Sequence, residues 1–159
     1  IIDPDELFTK DAQLQLLKYI KDNKHAIYQG KNVVTYWKNT NYILDPPDEI
    51  GMIIVVDPKV LYCYEHRQFK YMADDRDYIT DKGIVSITYH HMSWAKSDEK
   101  IKEKIQSYSH ASIIPPDWYD NKWIAWDSNH NIDHLRPYGN EGGRAIYSPA
   151  PQEILNLFE

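Results

Sequence analysis

The sequence opens on IIDPDE: two β-branched apolar residues, Ile1 and Ile2, run directly into three acids at Asp3, Asp5 and Glu6, with Pro4 stiffening the exit. This reads as a buried strand that stops at a carboxylate cluster. The reading constrains the fold, because ligand sites in open α/β sheets lie just beyond the carboxyl ends of strands. Asp3 and Asp5 are two apart, so extended backbone projects them to the same side. Two hard oxygen ligands held that way suit Mg²⁺ or Mn²⁺ carrying a phosphate-bearing substrate. The same residues also describe a helix entry, with Asp3 as N-cap and Glu6 three residues later. The chain starts inside this segment without an initiator Met, which reads as the downstream part of a longer protein.

The 159 residues, 42% hydrophobic and 26% charged, are enough for one domain with a real core, and no tract repeats. A net charge of −6 argues against a nucleic-acid surface, which needs clustered Lys and Arg. Cys63 is the single cysteine, so neither a disulfide framework nor a thiolate zinc site is expected. No apolar run reaches the roughly 18 residues that would span a bilayer, and a cytoplasmic location is the default. Aromatic residues make up 13% of the chain, and Tyr and Trp offer an apolar face with a polar tip, which suits sugar-like ligands as well as cores.

Residues 7–23 carry Phe8, Ala12, Leu16 and Tyr19 at helical spacing, widened by Leu17 and Ile20, with Lys10, Asp11, Lys18 and Lys21 on the wet face. Asn23 is the expected stop. Short β-rich runs follow at 33–37 and 41–44, and the Asp45–Asp48 stretch, with Pro46 and Pro47, makes a rigid turn. The continuously apolar run 52–56 reads as a central strand, with 60–64 as its hairpin partner. Residues 71–82 read as loop or short helix, and Gly83 opens a strand that ends at His90 and His91. Ser97 is placed to cap a second helix with Asp98 and Glu99 in its first turn. Pro115 and Pro116 start a short helix holding Trp118, Trp123 and Trp126, and residues 128–159 read as an irregular surface tail. Alternating strands and helices predict an α/β fold with a mixed sheet flanked by helices.

The segment Tyr89–Lys96, YHHMSWAK, again ends a hydrophobic run at metal-competent side chains. One imidazole of the pair could complete an oxygen-rich site begun by Asp3 and Asp5. Neighbouring residues in a strand face opposite ways, so at most one of the two should reach it. The plain alternative is one packed and one solvated histidine.

With YWKNTNYILDPP, HHMSWAKSDEKIKEKIQSYSHA and PPDWYDNKWIAWD, the stretch from Asp3 to about Asp127 resembles the downstream half of bacterial family 2-type glycosyltransferases of the GT-A fold. The resemblance implies that residues 1–127 are the C-terminal part of such a domain, lacking the N-terminal nucleotide-binding half. It implies an enzyme: an inverting, metal-assisted transferase that moves a sugar from a nucleoside-diphosphate donor to the hydroxyl of a glycan or lipid-linked acceptor, as in polysaccharide biosynthesis. Asp5 would then ligate Mn²⁺ or Mg²⁺ on the donor diphosphate, and Asp3 would share the metal or meet the donor ribose. His91, or else His90, would complete the metal shell, and Lys96 would face the donor phosphates. The acidic motif expected for the base has no clean match; Glu65, Asp75 and Asp77 are the candidates, each equally explained by a salt bridge to Arg67 or Arg76. Tyr36 and Trp37 would stack on the acceptor sugar, or else fill the core. A lipid-linked acceptor would bring the protein to the inner face of the membrane, although no basic amphipathic helix marks this in the sequence. The competing readings are a non-catalytic carbohydrate-binding or interaction module, with Trp and Tyr on an exposed face, and a metal-dependent phosphoesterase, which needs more acids near His90.

Overall fold

The computed structural model describes residues 5–47, 53–57, 59–63, 68–71, 79, 82–107, 111–137 and 143–158. In chain order these form β1 (Glu6–Leu7), α1 (Lys10–Asp22), β2 (Ile27–Trp37), β3 (Tyr42–Asp45), β4 (Ile53–Val55), β5 (Val60–Cys63), β6 (Gln68–Tyr71) and β7 (Gly83–Trp94). Then come α2 (Asp98–Ser107), a 3₁₀ turn (Ala111–Ile113), a π-helix (Tyr119–Ile124), β8 (Arg144–Tyr147) and α3 (Gln152–Leu155). Six strands make one open sheet in the order β1-β7-β2-β3-β8, with β4 also paired to β2, while β5 and β6 form a separate two-stranded ladder. β2 runs antiparallel to β3 and β4, and β3 antiparallel to β8. Asn32 reaches Ser86 and Tyr36 reaches His90, in both cases 54 residues on, and a constant separation of this kind belongs to parallel strands. The sheet is therefore mixed, and the coarse α/β class expected from the sequence holds.

The chain divides into two compact units, the first comprising Ile1–Val33 with Glu49–Tyr89, the second Val34–Asp48 with His90–Glu159. In the first, α1 starts at Lys10 because the Thr9 hydroxyl accepts the Ala12 N–H at 3.2 Å, and it stops where the Asn23 N–H bonds the Tyr19 carbonyl. The helix entry read at Asp3 and Glu6 is thus displaced to Thr9, and Glu6 lies in the two-residue strand Glu6–Leu7. Ile1, Ile2 and Asp3 lie outside the described residues. Phe8, Ala12 and Leu16 seat α1 on a core with Tyr28, Val33, Ile54, Val85, Ile87 and Tyr89. Leu17, expected to widen that stripe, is instead 62% exposed. The buried arc is already filled by Phe8, Ala12 and Leu16, with Tyr19 and Ile20 packed at its margin.

Tyr28 and Val33 share that core although five residues apart, an odd spacing that would put them on opposite faces of a regular strand. Asn32, with φ of 67°, supplies the irregularity between them, and Asn tolerates the left-handed region better than most residues. The apolar run at β4 has a simple cause. Ile54 enters the core under α1, while Ile53 and Val55 pack on the other side with Ile27, Val60 and Phe69, so both faces are covered. β4 is nonetheless a short strand off the main path, and β5 pairs with β6 rather than with β4. Residues 72–78 lie outside the described part.

In the second unit, β3, β8 and the ends of β2 and β7 carry a core of Trp37, Leu44, Trp94, Ile101, Trp118, Trp123, Trp126, Leu135 and Ala145. Ser97 caps α2 through the Lys100 N–H, as its sequence signal predicts. Residues 128–159, expected to be an irregular surface tail, contain β8 and bury Leu135, Ala145 and Ile154. Their Gly, Asn and Pro content hides a strand of only four residues, whose register is set by β3: Tyr42 opposite Tyr147, Asp45 opposite Arg144.

Candidate functional site

The buried polar side chains among the described residues are Thr35, His90 and Ser93, and all three lie in the second unit, on the adjoining parts of β2 and β7. A polar group taken out of water must find a hydrogen bond or lose a few kcal/mol, so these positions record a requirement other than packing. His90 finds Tyr36: the phenol oxygen is 2.9 Å from Nδ1, and the rings lie 5.8 Å apart and 25° from parallel. Burial moves both groups away from charge. It pushes the Tyr36 phenol up to about 12 and holds His90 below the ordinary histidine value. The phenol therefore keeps its proton and bonds a neutral imidazole at Nδ1, donating or accepting according to which ring nitrogen carries the proton.

Ser93 is met from α2. Lys104 Nζ bonds both the Ser93 hydroxyl and, at 3.0 Å, the Ser93 carbonyl, and it stands 4.3 Å from the Trp94 ring centroid. Where β2 ends, Lys38 takes a positive φ of 63°. Its ammonium lies 4.3 Å over Trp123 and 3.1 Å from Asp98, whose carboxylate also accepts Trp123 Nε1–H at 2.8 Å. The bonds from Trp123 and then Lys38 hold the Asp98 carboxyl below its usual range. This set ties β2, the start of α2 and the π-helix together around Trp37, whose centroid lies 4.7 Å from Trp123 and 6.1 Å from Trp118. Trp37 Nε1 is buried without a hydrogen-bond acceptor. Its neighbours here are indoles, which offer ring faces and no lone pairs.

Of the residues singled out from sequence, the structure brings together Tyr36 and His90, as partners rather than as acceptor platform and metal ligand acting separately. Tyr36 and Trp37 are 1% and 0% exposed, so their rings sit in the interior. His91 is half-buried and engaged by a neighbour, as are Asp5 at the entry to β1 and Lys96 after β7. Asp3, Glu65, Asp75 and Asp77 lie outside the described residues. Among the described residues no three His, Cys, Asp or Glu side chains come close enough to hold a metal ion. The Tyr36–His90 pair does suit one member of such a shell. If Nε2 served as ligand, the proton would sit on Nδ1 and the phenol oxygen, which can donate or accept, would hold the ring in place. Lys38, Ser93, Asp98 and Lys104 were missed from sequence. Lys38, Asp98 and Lys104 belong to ordinary strand-end or helix patterns and Ser93 to a strand, and only the fold brings the three charged groups against an indole or the buried Ser93 hydroxyl.

Comparison of the chain with protein-family models, with curated proteins and with solved structures finds no match.

Proposed function

We propose that this chain is the downstream part of an inverting, metal-assisted glycosyltransferase, with His90 rather than His91 as the imidazole that meets the cation. The reading rests on the sequence resemblance. What supports His90 is one observation, a buried imidazole held at Nδ1 by a phenol, since ligand histidines commonly have their second nitrogen fixed this way. Mn²⁺ or Mg²⁺ in such a site supplies neutralisation of charge on a departing nucleoside diphosphate. Tyr36 then acts as a positioning residue: its hydroxyl sets the ring plane of His90, and its burial keeps water from competing for Nδ1. The five tryptophans are at most 7% exposed, so none of them stands on an open face.

The test is calorimetric titration of UDP and of GDP, in the presence and absence of Mn²⁺, on a protein that carries this chain together with the nucleotide-binding half the resemblance implies. Nucleotide binding that depends on Mn²⁺ is expected, abolished in His90→Ala and weakened about tenfold in Tyr36→Phe, the lower end of what loss of an outer-shell partner costs. Asp5→Asn is measured alongside. Binding unchanged in His90→Ala removes His90 from the proposal. Absence of Mn²⁺-dependent nucleotide binding by that folded, longer protein removes the transferase site from the proposal.

A further inference from the structure

Trp37 stands within a continuous series of oxidisable rings in the second unit. The centroids of Trp123, Trp118 and Trp126 lie 4.7, 6.1 and 6.4 Å from its own. From Trp126 the series goes on to Tyr42 at 5.1 Å, and from Tyr42 to Tyr147 at 5.7 Å. These are the separations of rings that touch. Exposure climbs along the series, from 0% at Trp37 through 7% at Trp126 and a half-buried Tyr42 to 70% at Tyr147. Register builds the last step: Tyr42 and Tyr147 are directly opposed on β3 and β8, so their side chains share one face of the ladder. Apolar burial accounts for the indoles, but it gives little reason for a large ring left mostly in water at their margin.

Indole and phenol give up a single electron more readily than almost any other side chain. A ring that has lost one becomes a strong acid, and the vacancy settles where the proton finds an acceptor. Trp37 Nε1–H has none. Trp118 and Trp126 donate to the Leu135 carbonyl and the Asn131 amide oxygen, which are weak bases. Trp123 meets a carboxylate, but Asp98 shares that oxygen with the Lys38 ammonium, which lowers its affinity for a proton. Tyr147 stands in water, which takes up a phenol proton freely.

We propose that this series is an exit for oxidising equivalents, in which an electron vacancy made on a buried indole moves ring by ring to Tyr147 and is held there as a neutral phenoxyl radical. The oxidant is a one-electron acceptor, such as carbonate radical or a photochemical acceptor, and it is reduced by one electron. The indole radical cation recovers its electron from Tyr147 by way of Trp126 and Tyr42. The Tyr147 O–H bond breaks and its proton passes to water, so the indoles end unchanged and Tyr147 ends one electron poorer. A small thiol or ascorbate at the surface then returns a hydrogen atom to the phenoxyl oxygen. The gain is to the core around Trp37, which an oxygenated indole would fill with polar atoms. The inference stands apart from the transferase reading, since it uses neither Tyr36 nor His90.

The experiment illuminates the full chain with near-ultraviolet light that excites tryptophan and not tyrosine. A pentaamminecobalt(III) complex takes the electron and is consumed as Co(II), and a nitroso spin trap captures the protein radical. Peptide mass spectrometry is expected to place most of the adduct on Tyr147, and flash spectroscopy to show indolyl absorption giving way to phenoxyl. Tyr42→Phe keeps the ring but resists oxidation, so it should lose the Tyr147 adduct and shift oxidation to the tryptophans, with the circular dichroism spectrum unchanged. Trp126→Phe breaks the series one ring earlier and should give the same loss. A Tyr147 adduct undiminished in both variants means direct attack on an exposed ring and overturns the inference. An adduct gathered on Trp123 or Tyr119 overturns it too, as does indolyl decay without a phenoxyl signal.

Discussion

Gly83 opens β7 at a place where a methyl group has no room. A Cβ built there would lie 2.6 and 2.8 Å from Cδ1 and Cε1 of Tyr28 and 2.8 Å from Cδ2 of His25. Carbon atoms in contact prefer about 3.5 Å, so Gly83→Ala requires a displacement of roughly 0.7–0.9 Å. His25 is half-buried and can swing aside, but Tyr28 cannot. Tyr28 is 1% exposed, its hydroxyl donates to the Asn23 carbonyl at 2.5 Å and accepts the His25 N–H at 3.2 Å, and Tyr19 packs edge-on at 6.0 Å. Overpacking of this kind costs about 1–3 kcal/mol, and replacing a flexible glycine in a strand returns about 0.5–1 kcal/mol. The expected net loss is about 1–2 kcal/mol. For a chain of 159 residues that lowers Tm by roughly 2–8 °C. Gly143→Ala is the internal control. The three atoms nearest its Cβ all belong to the long side chain of Arg136, Nη1 closest at 3.0 Å, so a smaller displacement suffices and the loss should be less than for Gly83→Ala. Urea denaturation followed by circular dichroism measures both. A Gly83→Ala variant as stable as the parent, or a Gly143→Ala variant destabilised as much as Gly83→Ala, would refute the reasoning.

Two further predictions concern the second unit. Trp37→Phe removes an indole N–H that has no acceptor, whereas Trp123→Phe removes one bonded to Asp98, so the second should cost about 2 kcal/mol more in urea unfolding despite the same change in side chain. The opposite order would mean that the aromatic contacts around Trp37 outweigh its unmade bond. Burial depresses the His90 pKa, so as pH falls below the ordinary value of 6.5 the unfolded chain takes up the proton first. The stability His90 contributes by staying neutral is present above that value and is lost as pH drops toward its folded pKa. Between pH 7.5 and 5.5 the parent should lose stability relative to His90→Gln, which does not titrate there. Parallel losses in the two proteins would exclude His90 as the source.

The element pattern was legible because it depends on local sequence. Thr9 was overlooked as a cap, yet the helix it starts was evident from Phe8, Ala12 and Leu16. Ser97 and Asn23 act as their residue types suggest. Pairing was less legible: β5 follows β4 closely enough to suggest a hairpin, but it bonds β6. β8 was hidden because four residues between Gly-rich and Pro-containing segments give almost no periodic signal. Leu17 was misplaced because a helical stripe can be drawn wide or narrow, and the width of the surface beneath it decides which.

His90 and His91 show the same division at the candidate site. Adjacent positions in a strand must diverge, and the sequence alone determined that one would face inward and that the chain would mix strands with helices. Which histidine turns inward depends on the register between β2 and β7, set by residues 54 apart, and only the tertiary structure decided that His90 meets Tyr36. The physical reason is one of range. Capping, helical spacing and strand alternation act over a few residues, and the chain encodes them directly. Burial, hydrogen-bond partners and pKa shifts arise between distant segments, and they come into being only when the fold removes water from between them.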